Sequence, residues 1–260
     1  MTDLLHVRGY GPARPTEVLA IHGLTGHGQR WQTLATQHLP EIAVAAPDLL
    51  GHGRSSWAAP WTLDANVAAL AELLDGEAEA PVLVVGHSFG GAVALNLAAA
   101  RPDLVASLVL LDPAVGLDGG WMRDIADDMF ASPDYTDREE ARAEKANGSW
   151  GDVDSAVLEV ELDEHLVELS GGRCGWRISI PAMMSYWSEL ARPIIVPPNG
   201  IPTTLVRATR TDPPYVTEEL LARLGTRAEF TVVDFDCDHM VAQARPAEAA
   251  AVIRKHLERR

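Results

Sequence analysis

Six short apolar runs, separated by segments with helical patterning, constrain this chain more than any other feature. They are Glu17-Val-Leu-Ala-Ile-His22, Ile42-Ala-Val-Ala-Ala46, Pro81-Val-Leu-Val-Val85, Ala106-Ser-Leu-Val-Leu-Leu111, Thr203-Thr-Leu-Val-Arg207 and Glu229-Phe-Thr-Val-Val233. Each is β-branched or leucine-rich, lacks strict alternation, and ends in a polar or glycine-containing turn. Strands buried on both faces have this look, and strands alternating with helices imply a mostly parallel sheet with crossover helices on its flanks.

The rhythm stops between residues 115 and 198, where the chain turns helical and acidic. Thr136-Asp-Arg-Glu139 has the pattern of a capping box, opening a charged helix that Gly148 can end. Leu158, Leu162, Leu166 and Leu169 recur at helical spacing, and a third helix follows Pro181 with Met184, Trp187 and Leu190 on one face. The predicted organisation is an α/β core of residues 1–114 and 199–260, with a helical cap of residues 115–198 inserted after the sixth strand.

Composition narrows the partners. The chain carries a formal charge of −16, and residues 118–168 hold 16 acidic and 4 basic residues, hence −12 of that total. Such a field repels phosphate backbones and anionic membrane surfaces, so nucleic acid is not expected as a partner. No run approaches the roughly 18 to 20 apolar residues of a membrane span, and Met1–Tyr10 lacks the pattern of a signal peptide, so a cytoplasmic setting is expected. Cys174 and Cys237 read as buried thiols, and no Cys/His spacing suggests zinc.

The chemistry-bearing motif is Gly86-His-Ser88-Phe-Gly90, followed by Gly91. It lies between an apolar run and a helix-forming stretch, Ala92–Ala100. A serine raised on a sharp strand-to-helix turn needs strained backbone angles and small neighbours, and the helix that follows aims its first N–H groups at the site. Upstream, His22-Gly-Leu-Thr-Gly26 follows a strand. The backbone N–H groups of Leu24 and Phe89 are the natural pair to stabilise an oxyanion, with His22 organising the loop. The base should follow the last strand, where Asp236-Cys-Asp-His239 stands; neutral His239 can then take the Ser88 proton. A histidine base, about 6.5 in model peptides, predicts activity lost on the acid side of neutrality.

With Asp48-Leu-Leu-Gly-His-Gly-Arg-Ser55, these motifs fall in the order of the α/β-hydrolase superfamily, and within it the chain resembles small lipase/esterases of the LipV type. The resemblance implies the α/β-hydrolase fold, carboxylic-ester hydrolysis through a Ser–His–acid triad, and no cofactor. With no long apolar helix to anchor on insoluble lipid, a small-molecule ester is the expected substrate, and no metal is expected. The acid stays open between two positions. Asp212, after the Thr203 strand, is where most of the family carries it, although Ala208 replaces the expected glycine and Thr211 precedes it. Asp112 ends the Ala106 strand, where some relatives carry it; the reading leans to Asp212. For the substrate pocket the expected linings are Trp121, Met183, Met184 and Trp187, with Met122, Met129, Trp176 and Tyr186 as further candidates, all equally readable as cap core. Carbon–carbon bond hydrolases and thioesterases use the same triad, and a non-catalytic binding protein can keep the fold.

Overall fold

The computed structural model describes residues 4–258; the first three residues of the N-terminal segment and the last two residues lie outside the described part. Among the described residues seven strands form the main sheet: β1 (Val7–Tyr10), β2 (Val18–Ile21), β3 (Val44–Pro47), β4 (Val82–His87), β5 (Val105–Leu111), β8 (Thr203–Ala208) and β9 (Phe230–Phe235), in spatial order β1-β3-β2-β4-β5-β8-β9. Only β1 runs antiparallel, against β3. Helices α1 (Leu63–Glu77) and α2 (Phe89–Ala100) flank β4, and α7 (Glu218–Gly225), α8 (Val241–Ala244) and α9 (Pro246–Leu257) follow the later strands.

Period-2 alternation sorts the strand side chains onto two faces. Leu19, Ile21, Val82, Val84, Leu108 and Leu110 pack with α1, α2 and α7. Val18, Ala20, Leu83, Val85, Val109 and Leu111 pack with Trp31, Leu34 and α9 on the other side. Both faces are covered, which is why the central runs lack polar alternation. Edge strand β9 departs from that expectation: it pairs only with β8, and Thr231, Val232 and Asp234 are exposed.

Between β5 and β8 the chain forms α3 (Gly119–Ala131), α4 (Arg138–Asn147), α5 (Ser155–His165), a short hairpin of β6 (Leu166–Glu168) and β7 (Cys174–Trp176), and α6 (Ile180–Leu190). The insertion was expected after a sixth strand. Among the described residues it follows the fifth strand of the main sheet, because a single edge strand, β1, precedes β2. Local capping also shifts by one residue: Asp137, rather than Thr136, caps α4 by accepting from Glu140 N–H, and Glu140 in turn accepts from the backbone and hydroxyl of Thr136. The leucine series breaks after α5, where Leu166 starts the hairpin and Leu169 lies in the loop between its strands.

The insertion is joined to the sheet body at one end and forms its own small core at the other. Tyr186 of α6 is fully buried against Phe89, its hydroxyl donating to Leu50 O (3.0 Å) and accepting from Asn66 Nδ2 (2.8 Å). Tyr135, Ala141, Trp150, Leu158, Leu162 and Cys174 make a separate cluster, to which Met240 contributes from the strand side.

Candidate active site

From β2 the chain crosses to β3 on one side, and from β4 to β5 on the other, so the carboxyl ends of neighbouring β2 and β4 flank a topological switch point. Open parallel sheets bind ligands in such a crevice. The loop after β2 and the turn after β4 meet there.

Ser88 occupies that turn with φ 53 and ψ −120, outside the ordinary region for a residue with a side chain. The flanking glycines are sterically required: a Cβ on Gly86 would stand 2.3 Å from Gly90 O, and one on Gly90 2.3 Å from Ile21 O. Hydrogen bonds hold the strained turn to its neighbour strand, Ser88 N–H donating to Leu111 O (3.1 Å) and Ala114 N–H to Ser88 O (3.1 Å). Phe89 is the first residue of α2, so its N–H has no acceptor within the helix.

The β2 loop backs directly onto this turn. A Cβ on Gly23 would lie 2.9 Å from Ser88 Cβ and 3.1 Å from His87 Nδ1, so only glycine brings the Leu24 amide this close. His22 organises the loop as expected: its Nδ1–H donates to Gly23 O (2.7 Å) and its Nε2 accepts from Leu49 N–H (2.9 Å). Both bonds require the neutral ring, and burial, with nearby His52, holds its pKa well below the usual histidine value.

His239 follows β9 and lines the same cavity as Ser88. Its Nδ1 lies 2.6 Å from Asp112 Oδ2, with Asp112 wholly inaccessible to solvent. The other Asp112 oxygen accepts from Ala208 N–H (3.1 Å), and Thr211 Oγ1 donates to Oδ2 (3.3 Å). A carboxylate there fixes the tautomer with the proton on Nδ1 and leaves the Nε2 lone pair free to accept one. His87 Nε2–H donates to His239 O (2.7 Å), and the Tyr215 ring lies 4.3 Å from the His239 ring.

The preferred acid, Asp212, is not brought to the imidazole. It is exposed, in a turn four residues beyond β8, ahead of a cis bond to Pro213. Asp112 reaches His239 because β5 is the hydrogen-bonded neighbour of β4, which carries Ser88.

The cavity measures about 320 Å3 and is lined by Leu24, Ser88, Trp187, Met129, Trp176 and Tyr215 among others. Of the four expected linings only Trp187 faces it. Met183 is fully buried in the core, and Met184 and Trp121 lie outside the lining; Trp121 stacks instead on Tyr215 at 5.3 Å. Of the further candidates, Met129 and Trp176 line it, whereas Met122 and Tyr186 are core residues.

Sequence reasoning missed a charged wall. Lys145 of α4 stands over the Trp176 and Trp150 rings, 4.1 and 4.7 Å from their centroids, and 3.2 Å from Glu161 Oε1. Burial pushes its pKa down to about 8 against the pull of Glu161. Among the described residues no group of His, Cys, Asp and Glu is placed to hold a metal.

A sequence model of the alpha/beta hydrolase family matches residues 18–252. The chain belongs to the alpha/beta hydrolase family. It is 66% identical over 255 residues to Lipase LipV of Mycobacterium tuberculosis, spanning 97% of both proteins. Among solved structures, E-2-(acetamidomethylene)succinate hydrolase superposes with a TM-score of 0.83 at 22% identity, covering 98% of this chain and 95% of that one. A marine microorganism esterase gives 0.76 at 22% identity, with 98% of both chains covered. At that identity the two structures speak for the fold alone. The whole-length likeness to a lipase bears on the chemistry.

Proposed function

We infer that this chain is a carboxylic ester hydrolase of the lipase/esterase type, working through an acyl-enzyme on Ser88. His239 Nε2 takes the Ser88 proton as Oγ attacks the ester carbonyl. The tetrahedral oxyanion is held by the N–H groups of Leu24 and Phe89. Collapse expels the alcohol, which receives the proton from His239. Water, deprotonated by the same imidazole, then attacks the acyl carbon, and release of the carboxylic acid restores the serine. Asp112 holds the ring and stabilises the imidazolium.

The observation that carries the reading is the 2.6 Å contact between His239 and Asp112 on the wall of the cavity that holds Ser88. The cavity volume lies near the lower end for small-molecule sites, which favours short, soluble esters over long-chain lipid. Residues 115–198 act as the cap that covers this cavity. Among the described residues no helix is long and apolar enough to cross a membrane. A cytoplasmic setting, tested by cell fractionation, belongs to the same proposal.

The test is a panel of p-nitrophenyl esters of rising acyl length, acyl thioesters and vinylogous diketones, with S88A as control. Short esters should be cleaved by the parent protein and left intact by S88A. Cleavage of diketones with every ester untouched overturns the ester reading.

A further inference from the structure

The loop that presents Leu24 is held from the insertion. Gly23 to Gly26 form a tight turn, closed by Gly26 N–H donating to Gly23 O (3.1 Å). Thr25 takes its third position at φ 58, where glycine or asparagine is ordinarily found and a β-branched residue is strained. Two donors converge on the carbonyl of this residue. Arg30 Nη2 reaches Thr25 O at 2.9 Å, and His165 Nε2, at the end of α5, at 3.1 Å.

Arg30 is held by α5 in turn. Glu161 accepts from Arg30 Nη2 at 2.6 Å and from Nε at 3.2 Å, and also from His27 Nε2 (2.8 Å) and Lys145 Nζ (3.2 Å). The Arg30 and Glu161 side chains are only 4% and 2% exposed. The His165 ring stacks on His27 at 4.3 Å. Both supports of the Thr25 carbonyl therefore depend on one helix of the insertion.

We propose that Glu161 and His165 are positioning residues that keep the Gly23–Gly26 turn in its strained form, so that the Leu24 N–H points at the developing oxyanion. Neither touches the reacting atoms. Without them Thr25 relaxes towards the negative φ natural to threonine, and the adjoining amide moves with it. Displacements of about 1 Å at such a donor are enough to reduce turnover about a hundredfold. The inference rests on the ester-hydrolase reading above.

The experiment compares the parent protein, S88A, E161Q and H165F, each also with T25G added, on a short p-nitrophenyl ester, with rates divided by the titrated concentration of active sites. E161Q and H165F should each lose about 10- to 100-fold in kcat, with KM within about twofold. Affinity for a trifluoromethyl ketone, which forms the tetrahedral adduct, should fall in parallel. T25G should restore at least about fivefold to each, because glycine holds a positive φ unaided. An unchanged kcat per site in E161Q and H165F, or a loss that T25G fails to relieve, overturns the proposal. Activity surviving in S88A instead overturns the underlying reading.

Discussion

Asp112 Oδ2 lies 2.6 Å from His239 Nδ1 although 127 residues separate them, and Asp112 holds a positive φ of 42 to make the contact. Thr25, Ser88 and Asp112 are the non-glycine residues at positive φ among those described, and all three follow strands of the main sheet. Strain gathers where a nucleophile, an oxyanion loop and an acid are brought together, and the surrounding hydrogen bonds maintain it.

D112N should lower kcat about 10⁴-fold, since the amide can support the wrong tautomer of His239. D212N should stay within about twofold of the parent. Steady-state kinetics of the two variants on one ester decides between them; equal small effects would leave His239 without the proposed partner.

The close approach of Gly23 to Ser88 predicts that G23A folds but turns over poorly. Its Cβ would sit 2.9 Å from Ser88 Cβ, so the loop has to retreat and carry the Leu24 amide away. A loss of about 10²-fold in kcat is expected, the scale of one oxyanion donor. Circular dichroism and kinetics on the same preparation check it.

Glu161 makes stability depend on acid pH. Burial alone would raise its pKa, but Arg30, Lys145 and His27 outweigh that and hold it well below the usual 4.5. A carboxylate depressed in the folded state contributes stability that is complete above the unfolded value and disappears as pH falls through the folded one. Urea unfolding should show E161Q about 3 kcal/mol less stable than the parent at pH 7, with the gap narrowing below about pH 4. A gap independent of pH contradicts the ion-pair account.

Y186F probes how firmly α6 is attached. The hydroxyl bonds to Leu50 O and Asn66 Nδ2, so its removal should cost about 1 to 2 kcal/mol, or about 2 to 8 °C in Tm. Turnover should be unchanged, and calorimetry beside an ester assay reads both. An unaltered Tm would mean that α6 is not anchored through this residue.

Local features carried the sequence reading well where the physics is local. Glycines around Ser88 and the apolar runs report sterics and burial within a few residues, and both reappear in the turn and the sheet. The acid was ambiguous because Asp112 and Asp212 each follow a strand; sheet order decides which one is buried beneath His239. The usable signal was adjacency, since Asp112 ends the strand paired with the one bearing Ser88. Met183 and Met184 looked alike at helical spacing, yet α6 turns the first into the core and leaves the second half-buried. Lys145 sits in the charged run Arg-Glu-Glu-Ala-Arg-Ala-Glu-Lys, which reads as a solvated face; its burial depends on Glu161, Trp150 and Trp176, which other segments supply.

The most direct test of the account is the covalent intermediate. The protein is mixed with a slowly deacylating p-nitrophenyl ester, quenched in acid, and mapped by peptide mass spectrometry. The acyl group should be found on Ser88, in amounts matching a burst of nitrophenol, and should be missing in S88A and greatly reduced in H239A. An acyl group on another residue, or steady hydrolysis by S88A, contradicts the account.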